Sequence, residues 1–274
     1  MTVLDRTDVA PRPVRYGENS IRVLLPQTLV LTKRLLIRWG RNLPTIIETL
    51  IVPIVLLWAV NTVLGKQISN LTGHSALYGS VPMVAIVATI SGSSVGAVAL
   101  VRERAEGLLA RFWSLPVHRA SGLLARFASE AVRIFVTTLV ILGAGMLLGF
   151  RFHQGVPAAL AWLLVPVVFG LAFATLVTAA AFYSATTTLV EAISLVNTLG
   201  IFFCTGFVPL DQYPDWIQPV VEHQPMTYAV ELMRGLSLGG PVRWPLIATL
   251  LWAGGIIAIC LTPMVVGYRK ASMR

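Results

Sequence analysis

The chain has 274 residues, 56% of them hydrophobic and only 12% charged, with a formal charge of +9. Soluble domains are about half apolar and a quarter charged, so this composition excludes a water-soluble fold and points to a membrane domain. The basic residues crowd into particular connections beside apolar segments, as topology and anionic headgroups favour, and that placement excludes nucleic acid as the partner.

The first 20 residues mix Arg6, Arg12 and Arg15 with Asp5, Asp8 and Glu18 and hold no long apolar core. They are expected to form a disordered cytoplasmic N-terminus, not a cleavable signal peptide. Residues 21–42 combine Leu24, Leu25, Leu29, Leu35, Leu36 and Trp39 with Arg34, Arg38 and Arg41. The arginines fall at i, i+4 and i+7, on one helical face. This spacing predicts an interfacial amphipathic helix, its basic side toward headgroups and its apolar side in the acyl boundary.

Six membrane-spanning helices are predicted next, at residues 43–64, 81–101, 128–149, 158–183, 189–208 and 245–268, because each apolar run reaches the roughly 20 residues that cross about 30 Å of hydrocarbon. The fold class is therefore all-α integral membrane, a single domain over residues 43–268. Pro53, Pro82, Pro166 and Pro263 lie inside these runs. Membrane helices tolerate proline, and kinks are expected there. Small residues in Gly92-Ser93-Ser94-Val95-Gly96 and at Gly143, Gly145 and Gly149 have spacings that allow close helix approach.

Two connections carry more than linkage. Residues 102–115 follow the second span as a charged, amphipathic helix without a break, ended by Pro116. Such a rigid extension can pass movement from a soluble partner into the membrane, or act simply as a positive topological anchor. Residues 210–243 are too polar to cross. Tyr213, Trp216, Ile217, Tyr228, Leu232 and Leu236 predict short helices resting on the outer rim, a depth that amphipathic rings favour. The chain closes with a tail at residues 269–274.

Lys and Arg orient the bundle. Eight lie in the first 42 residues, six between 102 and 133 and three in the tail, so 17 of 21 fall on one side. By the positive-inside rule both termini are cytoplasmic, in a multi-pass protein of the plasma membrane.

Catalytic readings fare poorly. Gly92-Ser93-Ser94-Val95-Gly96 fits the Gly-x-Ser-x-Gly pattern of serine hydrolases, but it sits inside a predicted span, and His74, His118, His153 and His223 all lie in connections. The Gly-Lys pair at Gly65-Lys66 is followed by Gln67, so no phosphate-binding loop is present and any ATP must be bound by another chain. Cys204 and Cys260 lie in apolar stretches and read as packing residues, and the scattered histidines give no metal site. Glu48, Glu130, Arg133 and Glu191 are the ionisable groups within spans, all near the cytoplasmic end, where ion pairing lowers their cost. No acid chain reaches the midplane, no polar stripe lines a pore, and no internal repeat is visible, so neither a proton relay nor a channel is indicated.

Arg102-Glu103-Arg104-Ala105-Glu106-Gly107 followed by Leu115-Pro116 resembles the coupling helix of type-2 ABC exporter permeases. Gly206-Phe207-Val208-Pro209, Tyr213-Pro214-Asp215-Trp216-Ile217-Gln218-Pro219, Gln224-Pro225-Met226-Thr227-Tyr228-Ala229 and Met233-Arg234-Gly235 are similar to the outer region of daunorubicin-resistance-type permeases of actinobacteria. Leu108-Leu109-Ala110-Arg111 and Val117-His118-Arg119-Ala120-Ser121-Gly122-Leu123 resemble the mycobacterial members associated with export of complex lipids such as phthiocerol dimycocerosate.

The resemblance implies a half-transporter that pairs with a sister permease or itself, and that exports a hydrophobic substrate, an envelope lipid or an amphipathic antibiotic. It implies a cytoplasmic ABC ATPase partner carrying ATP and magnesium, with no cofactor and no enzyme site in this chain. Arg102, Glu103, Arg104, Glu106, Gly107, Arg111, Leu115 and Pro116 would contact that ATPase. Arg34, Arg38, Trp39 and Arg41 of the interfacial helix would assist, in contact with membrane lipids. Tyr213, Pro214, Trp216, Pro225, Tyr228 and Arg234 would belong to the cap over the exit. Two other classes stand beside this one: an ion-coupled secondary transporter, and an intramembrane hydrolase built on Ser94.

Overall fold

A computed structural model describes residues 21–107, 118, 120–184 and 186–272. Among them the regular elements are all helical, as the all-α membrane class requires. In chain order these are α1 (Ile21–Arg41), α2 (Leu43–Thr72), α3 (Leu77–Ala105), α4 (Ser121–Leu147), α5 (Gly155–Tyr183), α6 (Thr188–Phe202), a 3₁₀ turn (Leu210–Gln212), α7 (Gln218–Glu222), α8 (Pro225–Leu238) and α9 (Arg243–Ser272).

Among the described residues five helices, α2, α3, α4, α5 and α9, are long and apolar enough to cross a membrane. Their apolar sequence leaves the backbone no partner but itself, and the intrahelical ladder satisfies it. The helices run through Pro82, Pro166 and Pro263. In α2 the backbone widens into a π-helical segment, Ile47–Ile51, just before Pro53. Pro53 has no N–H to give the carbonyl four residues back, which favours a local change of winding there.

The fifth expected span, residues 189–208, differs. The helix there has only 15 residues, about 22 Å at 1.5 Å per residue, short of the hydrocarbon thickness. It ends at Phe202 because side chains from beyond it take its last carbonyls. Gln224 Nε2 donates to the Gly200 carbonyl at 2.8 Å, and the Tyr213 hydroxyl lies 3.2 Å from those of Phe202 and Cys204.

At the centre lies α3, packed on α2, α4, α5, α6 and α8, while α5 packs on α9. Two-thirds of the apolar window of α3 is buried (67%), against 17% for α2. Of the three clustered glycines, Gly145 is the one that admits a neighbour, Val81, and an added Cβ at Gly143 would meet nothing within 4 Å. Gly149 ends α4 with φ +110.

Of the two short helices after α6, α8 does not simply rest on a rim. Ala229, Val230 and Met233 of α8 are fully buried, because α8 inserts between α3, α5 and α9. Pro225 opens α8, where its missing N–H costs nothing.

Candidate functional site

The end of the bundle where α3 and α5 finish and α4 begins gathers the charged residues singled out by sequence. Glu103, near the last turn of α3, accepts from Arg38 of α1 and from Arg126 of α4. Its side chain is only 12% exposed. A carboxylate held by two guanidiniums makes charge-assisted bonds, so α1, α3 and α4 are tied at one point. Arg104 points the other way. Its Nη1 donates to the carbonyls of Phe182 at 2.7 Å, Ser184 at 2.9 Å and Ala181 at 3.3 Å. These include carbonyls that the end of α5 leaves without intrahelical donors, and a cation suits the negative end of a helix.

Consecutive residues of α3 therefore grip different helices. Arg102 and Glu106 are exposed beside them. The extension expected over residues 102–115 does not run on from α3 without a break, since α3 stops at Ala105 with Glu106 as its cap and Gly107 at φ +70. Glycine adopts that left-handed geometry without the Cβ penalty, and it commonly ends helices for that reason. Arg111, Leu115 and Pro116 lie outside the described residues.

α1 is fastened along α4. The His118 amide donates to Gln27 Oε1 at 2.7 Å, and the Thr32 hydroxyl approaches the Ala125 carbonyl at 3.5 Å. Arg38 reaches Glu103 while its side chain stays 61% exposed, and Arg34 and Arg41 are exposed as well. Trp39 is half-buried. Leu25, Leu29 and Val30 leave an apolar exposed strip on the same helix.

Deeper in the bundle, Glu130 and Arg133 pair across one turn of α4, through Arg133 Nε at 3.1 Å and also through Nη2. Ser93 of α3 donates to the same carboxylate. An added Cβ at Gly92 would lie 1.5 Å from Arg133 Nη1, so this glycine clears room for the guanidinium. Ser94 donates to the Ile90 carbonyl at 3.0 Å and receives a hydrogen bond from Ser194 at 2.7 Å. Neither serine is set up as a nucleophile, because a base free to take its proton is needed. Glu48 and Glu191 are exposed.

At the opposite end, Arg234 Nη2 donates to the Thr205 carbonyl and the Thr205 hydroxyl donates to Glu231 Oε1 at 3.3 Å. Burial pushes the Glu231 carboxyl above its ordinary value and draws the Arg234 guanidinium below its own. Tyr228 is buried, Tyr213 half-buried, Pro225 half-buried, and Pro214 and Trp216 are exposed. The sequence-predicted outer residues thus divide into a buried group on α8 and an exposed group before α7.

Sequence reasoning overlooked Arg126, Gln27 and Gln224 as tethers. Arg126, Glu130 and Arg133 stand at i, i+4 and i+7, a spacing that places them on one face of α4 and was the available signal. Among the described residues no three His, Cys, Asp or Glu side chains gather to hold a metal.

The profile of ABC-2 type transporters matches residues 26–238. The chain belongs to the ABC-2 type transporter family. It is 48% identical over 271 residues, 99% of this chain and 98% of the relative, to a probable doxorubicin resistance ABC transporter permease protein of Mycobacterium tuberculosis, in strains CDC 1551 / Oshkosh and H37Rv alike. A daunorubicin resistance ABC transporter permease protein of Streptomyces coeruleorubidus is 23% identical over 215 residues, 78% of this chain and 76% of that one. The daunorubicin-resistance-type resemblance is thereby borne out. Together with the apolar helices it makes the chain a multi-pass membrane protein of the permease kind, whose family works with an ABC ATPase partner.

Proposed function

We propose that this chain is the membrane subunit of an ATP-driven exporter that moves a hydrophobic substrate out across the plasma membrane. Both termini face the cytoplasm, the turn at residues 102–120 receives the ABC ATPase, and that partner binds ATP and magnesium. The names of the relatives favour an amphipathic antibiotic of the doxorubicin or daunorubicin kind, and the mycobacterial resemblance adds a complex envelope lipid such as phthiocerol dimycocerosate. α1 lies at the cytoplasmic interface with its exposed leucines toward the acyl boundary. The chain crosses six times, with α6 as a short fifth crossing. That reading is supported by the start of α6 beside the end of α5 and by Gly206 packing on Met83 at the far end of α3. The residues around Tyr213, Trp216 and Arg234 cover the exit, and a sister permease or a second copy completes the path.

The observation that carries this proposal is the opposed grip of Glu103 and Arg104. A push on the turn after α3 reaches α1 and α4 through Glu103 and α5 through Arg104, so four helices receive one displacement. Work is done only if the ATPase states bind the two arrangements with different free energy. In proteoliposomes with the ATPase partner and any permease partner, Glu103→Gln and Arg104→Gln should assemble and hydrolyse ATP but lose most substrate-dependent export. Full export by both variants removes the lever. Export that stops when an ion gradient is collapsed, with ATP still present, points instead to ion coupling.

A further inference from the structure

A crevice of about 180 Å³ opens between α1, α3 and α4. Arg38, Glu103 and Arg126 line it toward the end where α3 finishes, and Gly92, Ser93 and Arg133 line it further in. Arg133 lies seven residues beyond Arg126 on α4, about 10 Å deeper along the helix. Trp39 contributes to the wall from α1.

Two residues that line this crevice each keep a buried hydrogen-bond donor without a partner. Arg133 is 6% exposed, with Nε and Nη2 given to Glu130 and no partner on Nη1. Trp39 Nε1 is also buried without a partner. Buried donors are normally satisfied, and a guanidinium has no deprotonated form to retreat to. The crevice also holds three guanidiniums, of Arg38, Arg126 and Arg133, against two carboxylates, of Glu103 and Glu130. Glu130 balances Arg133, so the surplus positive charge lies toward the mouth, where Arg38 and Arg126 share Glu103. A group with several acceptor oxygens and a negative charge answers both needs.

We propose that this crevice binds a phosphate group, with Arg133 and Trp39 donating to its oxygens, carried either by a phospholipid headgroup or by a soluble phosphate. The crevice reaches inward from the polar end of the bundle, as a headgroup drawn below the interface would require. The site stands apart from the coupling role of Glu103, because its test reads binding and not transport.

The full-length chain, purified in neutral detergent and stripped of lipid, is offered phosphatidylglycerol, diacylglycerol or inorganic phosphate. Retained lipid is counted by native mass spectrometry and phosphate is followed by thermal shift. One phosphatidylglycerol per chain should be held in preference to diacylglycerol. Trp39→Phe, which keeps the ring and removes the donor, should weaken retention roughly 3- to 10-fold, and Arg133→Gln at least about tenfold. Displacement of the lipid by inorganic phosphate, with a thermal shift that Trp39→Phe reduces, assigns a soluble source. Retention without displacement assigns the headgroup. Should Arg133→Gln fail to fold, Trp39→Phe carries the test alone. Equal retention of diacylglycerol, or binding of both phosphate probes unchanged by Trp39→Phe, overturns the proposal.

Discussion

Arg133 is the most demanding single residue in this fold, since it brings a permanent charge among buried side chains. Its position is defined by three neighbours. Glu130 takes two of its nitrogens, Ser93 occupies the carboxylate from the other side, and Gly92 leaves the space that Nη1 fills. Breaking a buried charged pair leaves an uncompensated ion, which costs far more than losing an exposed one. Gly92→Ala should therefore be disproportionate to its single added carbon. The new Cβ would stand 1.5 Å from Nη1 and 2.6 Å from Cζ, so the guanidinium must swing off Glu130. We expect a loss of about 1–3 kcal/mol, the usual cost of an orphaned buried polar group. Thermal unfolding in detergent, followed by tryptophan fluorescence, measures it. Gly143→Ala is the control, because a Cβ there meets nothing within 4 Å and alanine favours the helix. Equal melting temperatures for the two variants would show that Arg133 is not held as described.

At the scale of elements, α8 carries a half-buried acid, Glu231, whose ionisation reports how the helix is seated. Desolvation raises the Glu231 pKa above 4.5, more than Arg234 and the Thr205 hydroxyl lower it. The folded state therefore holds the Glu231 proton more tightly than the unfolded chain does. That contribution to stability is complete below pH 4.5 and is lost as the pH rises through the folded value. Thermal stability of the wild type should accordingly gain a downward slope above pH 4.5 that Glu231→Gln lacks. Parallel pH profiles would mean that α8 leaves Glu231 in water. The burial of α8 was not legible in the sequence, because aromatic and polar residues in alternation describe a rim and a wedge equally well. The same limit applies to the spans. α2 and α3 are equally apolar, yet one is mostly exposed and the other mostly buried, since lipid and protein interior make the same demand on hydropathy. What separates them is the small-residue content of α3, with Gly79, Ser80, Ala85, Ala88, Gly92 and Ser93 along it. The positions of the long helices were readable from apolar length alone. The shortness of α6 was not, because its last carbonyls are claimed by Tyr213 and Gln224, which lie up to 24 residues from their acceptors. Gly107 was a visible stop signal for α3, outweighed in the sequence reading by the charged run around it.

For the whole molecule, the unfinished surface is on α6. Val190 is the one buried residue of its fifteen, and Leu195, Val196, Leu199 and Phe202 are 60%, 68%, 52% and 69% exposed. Lipid alone would suit those side chains. It would not suit the exposed Glu191 and Thr198 on the same helix, nor a helix too short for the hydrocarbon thickness. A second permease seated on α6, as proposed above, would cover those side chains. Cysteines placed at Val196 or Leu199, in a background with Cys204 and Cys260 replaced, should form an inter-chain disulfide across this face in native membranes. Leu251 of α9 is 67% exposed and supplies the comparison, since lipid explains that face without a partner. Cross-linking at Val196 or Leu199 when the chain is expressed alone would establish a homodimer. Cross-linking that appears only when a sister permease with a facing cysteine is co-expressed would establish a heterodimer. Efficient cross-linking through Leu251 and none through α6 would put the interface elsewhere and leave α6 facing lipid.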